Sequence, residues 1–212
     1  MKIAARLYAQ RLYELYVLHV LLRALNRLRP GEARGRGRHV IVYEYNGGLV
    51  IFYNVAPCLN DQPLSRVAGG EAEPPLPKSI LEAAAGRPDI TLVALEAGGA
   101  RVVAVVEAKY SRSLTYLTLA RFKTMAYIHE YEARAGILVY PGGAAKKPRA
   151  SLEGEEAEEG ARLLAEAERR GSLAIHLRNN ASLHILPLPP TPEGEERGVE
   201  RLAQILGRVI EA

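Results

Sequence analysis

Tryptophan is absent from these 212 residues, cysteine occurs once, and methionine and phenylalanine occur twice each. The lone thiol, Cys58, excludes a disulfide framework, and it equally excludes an iron–sulfur cluster, which needs four thiolates. Scarce Met and Cys beside abundant Arg, Glu and Ala suggest a thermophile, and the expected compartment is the cytoplasm. No Gly-x-x-x-x-Gly-Lys loop is present, so the chain is not expected to power itself with a nucleotide. The longest apolar helical pattern, residues 2–29, is broken by Glu14, His19, Arg23 and Arg27, which argues against a membrane span or a signal peptide. There is no internal repeat and no low-complexity tail. With 48% hydrophobic residues the chain can bury a full core, and one domain over 1–212 is expected, with a core over about 1–141 and a helix, hairpin and helix extension over about 150–212.

What is there begins with a hairpin. Ile90–Leu95 and Arg101–Ala108 are short runs rich in Val, Leu and Ile, separated by Gly98-Gly99. A turn centred on Gly98 makes residues whose numbers sum to 196 face each other, setting Leu95 against Arg101, Val93 against Val103, and Asp89 against Glu107. Directly opposed strand residues have Cβ atoms roughly 4.5–5.5 Å apart, close enough for two carboxylates to share a cation. Side chains alternate along a strand, so Lys109 shares the face of Glu107 while Ala108 turns away. Hard oxygen ligands select Mg²⁺ or Mn²⁺, and the lysine is suited to holding or activating a water beside a phosphate. The plainer alternative is an acid and a lysine where a buried strand reaches water.

Arg87-Pro88-Asp89, a spacer, then Glu107-Ala108-Lys109 on the next strand resembles the PD-(D/E)xK nuclease superfamily. The stretch from Arg87 to Tyr140 is most similar to McrC-type nuclease domains, with Tyr110 after the lysine and Tyr140-Pro141 closing a later strand. The resemblance covers about a quarter of the chain. It implies an α/β fold with a restriction-endonuclease-like core, a mixed central sheet flanked by helices, and a Mg²⁺- or Mn²⁺-dependent DNA endonuclease. Asp89 and Glu107 would bind the metal, the Ala108 carbonyl would complete its shell, and Lys109 would position the attacking water. It further implies DNA as partner and an NTPase partner subunit; a homodimer is open, and no membrane is expected because charges interrupt the first helical pattern. RecB-like members carry Gln-x-x-x-Tyr on the following helix; here the segment is Lys123-Thr124-Met125-Ala126-Tyr127, so Tyr127 matches and Lys123 replaces the glutamine. Residues four apart share a helix face, so Lys123 and Tyr127 look into the site with Tyr116 and Ala120, or else form a solvated lysine beside a packed tyrosine. The rival from another class is a non-catalytic nucleic-acid-binding or assembly subunit that retains the fold.

Glu14 falls in line with Ile3, Leu7, Leu18, Leu21, Leu25 and Leu28 on the first helical pattern, and a lone carboxylate on a buried face needs a partner. The resemblance implies a third metal ligand; the alternative is an ion pair with Arg11. Glu44 closes a strand of a second hairpin, 39–45 and 49–55 about Asn46-Gly47, and reads as an ordinary end-of-strand charge more than a competing ligand. Net charge is only +4, but Arg34, Arg36 and Arg38 alternate with glycine in one loop, and Lys146, Lys147 and Arg149 cluster in another. Basic loops beside an acidic site suit a phosphate backbone, or merely solubility. Residues 56–77 read as an irregular excursion and 77–85 as a short helix. Near the end, 155–170 and 196–210 read as helices, and 173–178 with 183–188 as a hairpin. A three-residue loop there would oppose His176 and His184, a solvent-face pair more than a zinc site.

Overall fold

A computed structural model describes residues 2–44, 48–68, 70, 71, 75, 77–143 and 154–211. Its helices are α1 (Lys2–Leu28), α2 (Lys78–Ala84), α3 (Leu114–Glu130), α4 (Gly154–Arg170) and α5 (Pro192–Ile210). Its strands are β1 (Glu32–Gly35), β2 (Val40–Glu44), β3 (Leu49–Tyr53), β4 (Cys58–Leu59), β5 (Gln62–Pro63), β6 (Ile90–Glu96), β7 (Gly99–Ala108), β8 (Ala135–Tyr140), β9 (Leu173–His176) and β10 (Ser182–Pro187). Eight of them form one mixed sheet in the order β1-β2-β3-β6-β7-β8-β10-β9. The first five are antiparallel neighbours, while β7, β8 and β10 run parallel.

The fold is therefore α/β with a large mixed sheet flanked by helices. Leu21, Leu25 and Val17 of α1 and Leu202 and Leu206 of α5 pack on one sheet face with Ala104, Val106, Ile137 and Val139. Tyr127 and Ile128 of α3 meet Val93, Val105 and Leu183 on the other face, where α4 adds Leu164 and Ala167. Covered on both sides, β8 is buried along its whole length and β7 over its last seven residues, as expected of parallel strands. Pro192 opens α5 and the Thr191 hydroxyl accepts from Gly194 N at 3.1 Å, a cap at the helix start. The stretch beyond residue 150 is not an appendage, since β10 lies between β8 and β9 in the same sheet and α5 packs against α1.

Several sequence expectations shift. Leu7, in line with the buried leucines of α1, is 63% exposed, because the first turns of this 27-residue helix run past the core they would cover. The 56–77 excursion contains the small β4–β5 hairpin, whose turn residues Asn60 and Asp61 both adopt positive φ. The arginine–glycine loop begins as the edge strand β1, so Arg34 is a strand residue. The last hairpin pairs His176 with Ser182 and His184 with Ala174, because its turn is centred on Asn179 and not on Asn180, which moves every partner by two residues. His184 is buried, not on a solvent face, and its Nε2 lies 2.8 Å from Ser182 Oγ. The Asn46-Gly47 turn lies outside the described residues.

Candidate functional site

The β6–β7 register changes partway along. At the turn, Glu96 pairs with Gly99, Leu95 with Ala100 and Val93 with Val102; past Val103 the pairs are Leu92 with Ala104, Thr91 with Val105 and Ile90 with Val106. Val103 is left over as a bulge, and Val103 and Ala104 both face the α1 side, whereas Val102 and Val105 face α3. The expected partners of Val93 and Leu95 are therefore displaced by one residue. Beyond the bulge the expected register holds, and continuing it one step sets Asp89 opposite Glu107.

Asp89 is anchored by main chain on both sides. Its Oδ2 accepts from Ala108 N at 2.8 Å, and its carbonyl accepts from Asn54 N at 2.9 Å. The segment before it is clamped by α3: Tyr127 donates to the Arg87 carbonyl at 3.0 Å, Tyr131 donates to the Gly86 carbonyl, and Gly86 N donates to Glu130 at 2.8 Å. A Cβ at Gly86 would come within 2.3 Å of the Tyr127 ring, so this approach needs glycine.

Glu107 is fully buried. Its Oε1 meets both Lys109 Nζ, at 2.5 Å, and Lys123 Nζ, at 2.9 Å. Its Oε2 is buried and has no hydrogen-bond partner among the described residues. Lys109 also reaches Asp89 Oδ2 and the Ala108 carbonyl, each at 3.3 Å. Burial, then the neighbouring Glu107, push the Asp89 carboxyl up to about 6. Burial works against the charge on Lys109, but Glu107 and Asp89 outweigh it and hold its pKa above the ordinary lysine value. Lys123 is likewise raised, Glu107 prevailing over desolvation.

Glu14 lies next to this group, close enough that its charge contributes to the rise at Asp89. It is 3% exposed, and Arg11 (2.7 Å), Gln10 (2.9 Å) and Asn54 (3.1 Å) all donate to it, so the Arg11 ion pair expected as the alternative is present. Gln10 links the two halves: its Nε2 donates to the Ala108 carbonyl at 2.8 Å and its Oε1 accepts from Tyr110 N at 2.8 Å. Glu44 is exposed, 3.3 Å from Arg34, which also holds Glu32; the reading as an ordinary surface charge fits.

A groove of about 650 Å³ opens over Asp89 and is lined by Arg11, Arg38, His39, Asn54, Arg87 and Lys123, with the rings of Tyr53 and Tyr127. Of the three loop arginines only Arg38 reaches it; Arg34 is paired with glutamates on β1 and β2, and Arg36 lines a separate groove beside Val42 and Phe52. Lys146, Lys147 and Arg149 lie outside the described residues. Gln10, Asn54 and His39 were not singled out in the sequence, and Arg11 and Arg87 entered only as a partner for Glu14 and as part of the Arg87-Pro88-Asp89 run. Gln10 and Glu14 sit four apart on one helix face, which was the available signal for Gln10.

Among the described residues no three His, Cys, Asp or Glu side chains gather as a metal cluster, so a cation would rely on two carboxylates and a main-chain carbonyl. Glu107 Oε2 fits that role, being a buried charged oxygen without a donor. The Ala108 carbonyl already accepts from Gln10 and Lys109, so it would join only if one of them turned away. No protein-family profile, curated protein or solved structure matches this chain. Among the described residues, no helix is long and apolar enough to cross a membrane.

Proposed function

We propose that this protein is a Mg²⁺- or Mn²⁺-dependent endonuclease hydrolysing DNA phosphodiesters, on a restriction-endonuclease-like core. The observation that carries the reading is the unpartnered Oε2 of Glu107, buried beside Asp89 where a divalent cation would complete both carboxylates. Asp89 and Glu107 would be the ligands, with the Ala108 carbonyl joining once Gln10 or Lys109 releases it. A bound cation supplies Lewis-acid polarisation of the phosphoryl oxygen and charge neutralisation. Lys109 remains an ammonium, so it orients the attacking water and offsets charge developing on the phosphate instead of taking a proton. The water oxygen forms the new P–O bond as the ester P–O bond breaks, the water's proton passing to solvent and the leaving oxygen taking one from solvent. Arg38, Arg87 and Lys123 draw the backbone into the groove, and Tyr127, whose hydroxyl is committed to Arg87, keeps Asp89 in register. Glu14 acts through Gln10 and Asn54 to hold the floor of the site.

One observation favours the second reading, a non-catalytic nucleic-acid-binding or assembly subunit: Lys109 and Lys123 already balance Asp89 and Glu107 without a metal. Thermal unfolding separates the two. Mn²⁺ at a hundred times its Kd should stabilise the protein by about 2.7 kcal/mol, and Asp89→Ala should lose that gain. A melting temperature indifferent to Mg²⁺ and Mn²⁺ in the wild type, together with no cleavage of duplex, single-stranded or branched DNA even with an NTPase partner added, would leave the second reading standing.

A further inference from the structure

Glu107 carries two counter-charges on one oxygen and none on the other. Lys109 and Lys123 both converge on Oε1. With Asp89 and Glu107 ionised, the four groups sum to zero, and Glu14 is balanced separately by Arg11. A divalent cation added to this group would leave two uncompensated positive charges in a poorly solvated place, a cost that falls if one ammonium departs.

The two lysines are not equivalent in their freedom to leave. Lys109 has an 11% exposed side chain fixed by Asp89 and the Ala108 carbonyl as well as by Glu107. Lys123 has a side chain 46% exposed, stands on α3 at the wall of the groove, and among the described residues touches only one carboxylate. Its ammonium is also 5.2 Å from the centre of the Tyr127 ring, which offers a resting place once the carboxylate is given up.

Resting on the metal-site reading above, we propose that Lys123 is an exchangeable counter-ion of Glu107: it closes the carboxylate in the cation-free protein and swings into the groove when a divalent cation arrives. There it becomes a positioning charge for substrate phosphate, so that cation entry and phosphate capture are coupled through one side chain. A neutral amide at the same position could not do this, since it would leave Glu107 with a single counter-charge and no cation to release.

Coupling of this kind makes Lys123 a competitor of the metal, and the competition is measurable without catalysis. Mn²⁺ binding to the full chain, followed by calorimetry, should be about 5- to 150-fold tighter in Lys123→Met than in wild type, while Lys123→Arg, which keeps the charge, stays nearer to wild type. Acylation of Lys123 by an amine reagent, read by peptide mass spectrometry on the wild type, should rise when Mn²⁺ is added. Equal or weaker Mn²⁺ affinity in Lys123→Met overturns the exchange while leaving the metal site standing. Absence of Mn²⁺ binding in all three chains overturns both. If Lys123→Met fails to fold, Lys123→Gln and the acylation measurement decide, and labelling unchanged by Mn²⁺ counts against the exchange.

Discussion

Two clusters of titratable side chains buried on this sheet differ in what they leave open. On β10, Ser182 and His184 face each other two residues apart at 2.8 Å, and among the described residues neither has a fully buried side-chain atom without a partner. At the ends of β6 and β7, Asp89, Glu107 and Lys109 are just as deeply placed, yet all are charged in the balanced state and Glu107 Oε2 has no donor. The first group is closed, and burial favours its neutral form. The second keeps its charges only because they compensate one another, and it retains an acceptor that protein alone does not satisfy. Burial by itself is thus no mark of a site, and neither is an unpartnered atom, since Thr91 Oγ1 and Thr118 Oγ1 are buried without a partner as well; what sets this group apart is a carboxylate oxygen left open among buried charges.

The comparison can be broken at several points. The largest effect is expected at Lys109: Lys109→Ala should lower cleavage by roughly 100- to 1,000-fold without weakening Mn²⁺ binding, which the lost ammonium can only have opposed, because the lost interaction belongs to the transition state. Single-turnover assays beside calorimetry would check it, and a matching loss of Mn²⁺ affinity would recast Lys109 as a scaffold for the carboxylates.

The closed pair should show itself in acid. Burial, with His176 and Arg208 nearby, pushes His184 down to about 4 from an ordinary 6.5. The unfolded chain therefore binds a proton that the folded one refuses. Its contribution is complete above about pH 6.5 and falls away as the pH drops toward 4, by roughly 3 kcal/mol. Denaturant unfolding between pH 7 and 4 should show that loss in wild type and a flatter limb in His184→Gln. Equal slopes would mean that His184 gains its proton without cost.

The smallest effect concerns the groove wall. Arg38 and Arg87 have no carboxylate partner among the described residues, unlike Arg34. Replacing both with Ala should reduce the salt dependence of duplex DNA binding by about 0.9 for each phosphate no longer neutralised, whereas Arg34→Ala should leave it unchanged. A slope that follows Arg34 instead would put the nucleic-acid surface on β1.

Legibility in the sequence followed the range of the interactions. Opposition of Asp89 and Glu107 could be read because both the turn and the two apolar runs are local, and strand alternation carries Lys109 along with Glu107. The bulge at Val103 left no trace, since one more valine among Val102, Val105 and Val106 looks like uninterrupted strand. Gln10 was hidden for a different reason: its partner is a main-chain carbonyl 98 residues away, and no local pattern encodes that meeting. Leu7 misled because periodicity reports a face, not where the core beneath that face ends. The turn before Ser182, which sets the histidine register, is centred on Asn179 by Leu177 N donating to Ala181 O at 2.8 Å, a placement its Asn179-Asn180 pair only hints at.

Val103 gives the hairpin a spare length of chain. A chain lacking Val103 would heal into an unbroken ladder, with Val102 beside Ala104 and Glu107 still opposite Asp89. Loss of any one residue from Ala104 to Val106 would instead be absorbed only if the bulge moved or vanished, and loss of a residue on β6 has no such reserve. The two arms of one hairpin should thus differ sharply in their tolerance of single-codon deletions, with the bulged arm forgiving and the Asp89 arm unforgiving.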